Sequence, residues 1–178
     1  MIKKCFSWKA LDIFLSSLVL FVLVFMVFMV NNTRAATEAS VGATVTAQNI
    51  SIGVSDATVT YGTMAVGTSS DTTSGDLDDT QFAENDGNIT ATFNIKGQTT
   101  PVWGIGNTAN SEIYFHKFCI SDCDGSPSWT PMTTSYQELT ASIGTGITLP
   151  FDLQLGTPTS TGTYTEQTVD VSVQAVAP

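Results

Sequence analysis

Cys119 and Cys123 are separated by three residues in a loop that also holds Asp122, Asp124, Gly125 and Pro127. Thiols at this spacing either oxidise to a disulfide or, as thiolates, hold a metal ion. An exported chain favours the disulfide. Closing so short a loop is worth roughly 2 kcal/mol in the chain-entropy account. The metal alternative adds His116 to the two cysteines, with Asp122 or Asp124 as fourth ligand. Zinc accepts such a set, but its thiolate sites usually come as two close pairs. Blue copper ordinarily takes two histidines, and His116 is the single histidine of the chain.

His116 shares one strand face with Tyr114 and Phe118, while Ile113, Phe115 and Lys117 share the other. If the Tyr/Phe face points inward, His116 is a core residue with a backbone or tyrosine partner; apolar neighbours on a strand favour this. If it points outward, it belongs to an exposed aromatic patch that binds a ligand. Trp103 and Trp129 could then stack on sugar rings, although a tryptophan in a β-rich domain is more often core. The candidate ligand-facing set is therefore Trp103, Tyr114, His116 and Trp129.

The segment 67–87 reads GTSSDTTSGDLDDTQFAENDG, with six acids and no base. Asp71, Asp76, Asp78, Asp79, Glu84 and Asp86 are hard oxygen donors of the kind Ca²⁺ collects six to eight at a time. The spacing is not that of an EF-hand. The competing reading is a solvated acidic loop that keeps the protein soluble. No other cofactor is implied. Hydrolase machinery is not visible: the sequence has no G-x-S-x-G elbow, and one histidine without a matched nucleophile motif is weak evidence for a triad. Acids crowded into one loop are unlike two carboxylates held rigidly across a glycosidase cleft. The expected chain is non-enzymatic; a glycan-active extracellular enzyme, resting on carboxylates and tryptophans, is the reading left behind it.

The elements that must position these residues begin after an apolar run, IFLSSLVLFVLVFMVFMV at 13–30. Lys3, Lys4 and Lys9 precede it, which places the N-terminus inside and the rest outside. As a helix the run spans about 27 Å, longer than an ordinary signal core and just short of a bilayer's hydrocarbon thickness. Thr33-Arg34-Ala35-Ala36 offers a signal-peptidase site after Ala35. Residues 1–35 are thus a signal peptide, the reading the small residues favour, or an N-terminal single-pass membrane anchor. Residues 36–178 form one extracytoplasmic domain of ordinary size. They keep two bases against fifteen acids, a net −13. That charge excludes nucleic-acid binding through a basic surface and opposes contact with an acidic membrane, so the membrane enters only through 13–30 if uncleaved.

The domain is rich in Thr, Ser, Gly, Val and Ile, a strand-and-turn composition. Val41, Ala43, Val45 and Ala47 alternate with polar residues, and Ile50, Ile52, Val54 and then Ala57, Val59, Tyr61 follow. Ile89, Ala91, Phe93 and Ile95 face Thr90, Thr92, Asn94 and Lys96 across the cleanest strand, after the turn pair Asp86-Gly87. Val102–Ile105, 113–118, 136–143, 149–155 and 164–173 complete the set. This is the period of strands with one buried face, and no helical crossover is available for a parallel sheet. The predicted fold is all-β: an antiparallel, Greek-key, Ig-like β-sandwich of about eight strands, preceded by one N-terminal hydrophobic helix.

Thr58-Val59-Thr60-Tyr61-Gly62-Thr63 resembles the opening strand of secreted bacterial surface sandwiches. Trp103-Gly104-Ile105 resembles the Trp-x-Leu element of WxL cell-wall domains, with Ile105 in the place of Leu, and no second such element follows Trp129. Gly162-Thr163-Tyr164-Thr165, leading into Val169–Val173 and a final Ala-Pro, resembles the last strand of those domains and, more distantly, of spore-coat-U-type fimbrial subunits. The resemblance implies a sandwich fold and noncovalent attachment to peptidoglycan. The expected protein is secreted or on the cell surface, with an envelope component or another surface protein as partner. The alternative is a fibre or coat subunit that self-assembles.

Overall fold

A computed structural model describes residues 8–30, 38–73 and 77–178. The chain divides into two compact units, Met1–Val45 and Thr46–Pro178. The first contains helix α1, Trp8–Val30. Its side chains are described from Asp12 to Val27, and all of them are exposed. Phe21 and Phe25, one turn apart, stack with ring centroids 6.5 Å apart. Among the described residues, no helix is long and apolar enough to cross a membrane.

The second unit is built of strands: β1 (Gly53–Ser55), β2 (Ser69–Asp71), β3 (Gln81–Glu84), β4 (Ala91–Lys96), β5 (Gly104–Ile105), β6 (Ile113–Cys119), β7 (Thr130–Pro131), β8 (Gln137–Ile143), β9 (Thr148–Gly156) and β10 (Ser172–Val176). One sheet follows the path β1–β3–β9–β6–β5, with β2 also on β9 and β7 also on β6. The other is β10–β4–β8. Every pairing is antiparallel except β5 with β6. The chain is all-β apart from α1.

One hydrophobic cluster joins the two sheets. Ala83 of β3, Phe118 of β6 and Phe151 and Leu153 of β9 meet Ala91, Phe93 and Ile95 of β4 and Leu139 and Ile143 of β8. Strand β4 shows why. Its odd-numbered residues are buried and Thr92, Asn94 and Lys96 only half so, the pleat delivering one side chain in two to the core.

Asn85 fastens the far end of this arrangement. It is fully buried, donates from Nδ2 to the carbonyls of Ile89 (2.9 Å) and Ile143 (2.8 Å), and accepts the Gly87 N–H at Oδ1. The β3–β4 turn is thereby tied to the end of β8. The β8–β9 turn passes through Gly146 at φ +68°, a left-handed conformation that glycine adopts without a side-chain clash.

Several expected strands are displaced. Residues 41–47 take neither strand nor helix, and of the following alternation only β1 forms. The Ala57–Tyr61 set is irregular. Period-two alternation makes a segment fit for a sheet, but a ladder also needs a partner edge. Conversely, the polar stretch 67–87 supplies β2 and β3. Thr72, Gln81 and Asn85 are buried there, held by hydrogen bonds that a hydropathy pattern does not register.

Candidate functional site

Strand β6 turns Tyr114, His116 and Phe118 inward. Tyr114 is 0% and His116 2% exposed. His116 pairs in register with Leu155 and Phe118 with Leu153, so these side chains share the inner face of the β6–β9 ladder. The inward alternative for this strand is the one the fold takes.

A row of rings runs along that face. Trp103, beside β5, lies 6.3 Å from Tyr114 between centroids; Tyr114 lies 6.4 Å from His116, and His116 meets Tyr61 edge-on at 6.0 Å. Each contact is within the range at which aromatic pairs attract. The polar atoms are mostly matched. Trp103 Nε1 donates to Thr161 Oγ1 at 3.0 Å, the Tyr114 hydroxyl donates to the Gln98 carbonyl, and Tyr61 Oη and His116 Nε2 form a hydrogen bond at 3.3 Å. Nδ1 of His116 is buried and has no hydrogen-bond partner among the described residues.

Burial sets the protonation of this row. It pulls His116 down to about 4, because a buried imidazolium loses its hydration. It pushes Tyr114 up to about 12, the Gln98 hydrogen bond opposing and the Asp170 charge reinforcing the shift. Tyr61 is raised well above its ordinary range by burial and then by the carboxylates of Asp71, Asp79 and Asp152. At neutral pH the row is uncharged.

Next to Tyr61 lies a polar cluster that joins three segments. Asp152 of β9 is buried, and its Oδ1 accepts hydrogen bonds from Thr72 Oγ1 (2.8 Å) and Thr80 Oγ1 (2.9 Å). Thr72 Oγ1 in turn accepts the Leu153 N–H. Asp71 accepts from Thr73 Oγ1, and Asp79 accepts from Gln81 Nε2 at 2.9 Å. Burial, then Asp56, and more weakly Asp152 and Asp78, hold the Asp79 carboxyl above its usual range, against the Gln81 hydrogen bond.

Of the acids named from sequence, Asp71 and Asp79 both lie near Tyr61, and the other described ones stand apart in sequence along β3 and its flanks. Asp71 ends β2, Asp78 and Asp79 precede β3, Glu84 ends β3, and Asp86 sits in the β3–β4 turn beside Gly53. Asp76 lies outside the described residues. Among the described residues, no three His, Cys, Asp or Glu side chains are grouped so as to hold a metal ion. Cys119 and Cys123 stand at disulfide distance, Sγ–Sγ 2.17 Å. Of the ligand-facing set, Trp103, Tyr114 and His116 come together, while Trp129 stands half-buried in the loop before β7. That loop borders an open pocket of about 260 Å³ between Phe118, Cys119 and Ile120 on one side and Glu138 and Leu139 of β8 on the other.

Sequence reasoning missed Tyr61 and Asp152 as interacting polar groups. Both fall inside segments of alternating apolar and polar residues, 57–61 and 149–155. Asp152 is buried because the face of β9 opposite the core is covered as well, and the covering residues, Thr72 and Thr80, are some 70 to 80 positions away. The chain matches no family model, no curated protein and no solved structure.

Proposed function

We propose that the chain is a non-enzymatic, exported cell-surface protein whose two sheets form a Greek-key, Ig-like sandwich with a binding or structural role at the cell envelope. The observation that carries this reading is the inward placement of Tyr114 and His116. The densest aromatic strand and the single histidine serve packing, which leaves recognition to strand edges and surface loops. The lysines and apolar run at the N-terminus, the acidic strand-rich domain and the cysteine pair at disulfide distance support export.

The test uses the full chain with a C-terminal tag. Protease added to intact cells should remove the tag, and the solubilised chain should sediment with purified envelope. A tag protected inside the cell overturns export. Turnover of a polysaccharide that disappears on substitution of His116 or of one carboxylate overturns the non-enzymatic reading.

A second reading, a subunit that polymerises into a fibre or coat, is favoured by the outer edge of β10 in the smaller sheet, which no other described strand pairs. Light scattering of the full chain in detergent should then show large species. A monomer with calcium and with chelator overturns it.

A further inference from the structure

The two sheets leave a gap where β6 ends. Strand β6 belongs to the larger sheet and β8 to the smaller, and after Cys119 the chain leaves β6 for the loop 120–129. The open pocket of about 260 Å³ lies there. Its floor is apolar. Phe118 and Leu139 line it, and both belong to the core, 4% and 3% exposed. Ile120, more than a third exposed, extends the apolar lining. The cysteine pair at disulfide distance brackets Ile120 and Ser121 and ties the start of the loop to the last residue of β6.

The polar part of the lining consists of three hydroxyls and one carboxylate: Ser121, Ser128, Thr130 and Glu138, all exposed. Among the described residues, the Glu138 carboxylate accepts no hydrogen bond and joins no ion pair. The two lysines of the strand-built unit are engaged elsewhere, Lys96 over the Tyr136 ring at 4.5 Å and Lys117 over the Phe115 ring at 4.3 Å. Between Phe118 and Glu138 the chain has Asp122, Asp124 and Glu138 as acids and no base. The pocket is thus an apolar floor under an acidic, hydroxyl-bearing rim with no cation of its own among the described residues.

We propose that this pocket receives a lysine side chain presented by a basic segment of a partner protein. The inference rests on the binding role in the first reading above and names a site and a partner for it. A lysine carries a charged head on a four-carbon apolar stem, and the pocket offers an apolar floor to the stem and Glu138 to the head. An ammonium has three N–H donors and no acceptor; the carboxylate and the three hydroxyls supply acceptors for them. Size agrees, since the cavity is smaller than the roughly 300–1,000 Å³ of sites that enclose a whole small ligand. Charge agrees as well. Residues 46–178 hold two bases and fourteen acids, a field that draws a basic segment in and turns an acidic one away.

The experiment titrates the full chain in detergent into a fluorescent peptide of alternating lysine and glycine and reads polarisation. Glu138→Gln should weaken binding about threefold to fivefold, the scale of an exposed ion pair, and Ser128→Trp, at an exposed position, should weaken it by filling the pocket. Glu84→Gln, which removes the same charge from β3, should leave it unchanged. Carbodiimide should join a peptide lysine to Glu138 as an amide, with loss of water, located by mass spectrometry. Equal weakening by Glu138→Gln and Glu84→Gln, or links spread over the acids of 71–86, overturns the site in favour of diffuse attraction. Equal binding of a norleucine peptide makes the occupant apolar and overturns the ammonium. A chain that binds no lysine peptide overturns this inference, while sedimentation with envelope decides the first reading separately.

Discussion

His116 is neutral in the folded protein because burial holds it at about 4, against 6.5 when free. Between those values the unfolded chain binds a proton that the folded chain refuses. This part of the stability is therefore complete above about pH 6.5 and is lost as the pH falls toward 4. The gap corresponds to roughly 3 kcal/mol. Tyr61 and Tyr114, which face the ring, stay protonated throughout. Asp79, held above the usual carboxylate range, acts in the opposite sense, so the wild type alone does not isolate the histidine. Urea unfolding at about pH 7.5 and about pH 4.5 should show a larger loss for the wild type than for His116→Phe. Equal losses would mean that the ring is solvated in the native state. The spacing of Tyr114, His116 and Phe118 made one shared face legible. Which way that face turned, and that Tyr61 would meet the ring, was not legible, because the partner lies 55 positions away.

Strands β6 and β9 make the longest ladder in the larger sheet, and Gly156 is where they come closest in a side-chain sense. It pairs in register with Phe115, whose ring lies over it; a methyl group built on Gly156 would approach that ring to 2.1 Å. The amine of Lys117 covers the same ring at 4.3 Å from its centroid. Gly156→Ala should displace Phe115 from between glycine and lysine and cost about 1–3 kcal/mol. Thermal unfolding reads this, and an unchanged midpoint would show that the ring relocates freely. At this scale the sequence was most informative where one face of a strand is buried. The residues 89–95, 113–118, 136–143 and 149–155 anticipate β4, β6, β8 and β9, with bounds shifted by a residue or two at most ends. It was least informative for β2, made of Ser and Asp that are half-buried at most, and for β3, where Gln81 is buried and hydrogen-bonded to Asp79. It misled at 41–47, where alternation is not accompanied by a strand.

At the scale of the whole molecule, charge governs how one copy approaches another. A net −10 gives a long-range repulsion that salt at about 0.1 M screens beyond roughly 10 Å. If copies assemble against this repulsion, as in the second reading above, added salt should speed the growth of large species seen by light scattering. Growth that slows with salt would place opposite charges at the contact instead. Composition and charge were legible from the outset, and so was the strand-rich class. Which strands share a sheet, and in what order, was not, because strand order depends on pairings between distant segments. Strand β9 has a further consequence, for the order of events during synthesis. Its residues 148–156 pair with β2, β3 and β6, all of which are made earlier. Until β9 has been made, β3 has only the short β1 beside it, and β2 has no neighbour among the described strands. Non-local pairings of this kind form slowly, and the pair β1–β3 and the group β5–β6–β7 are joined into one sheet only when β9 is present. The larger sheet is therefore completed only late in elongation, whereas β4 and β8 of the smaller sheet are already available to pair before β9 is made.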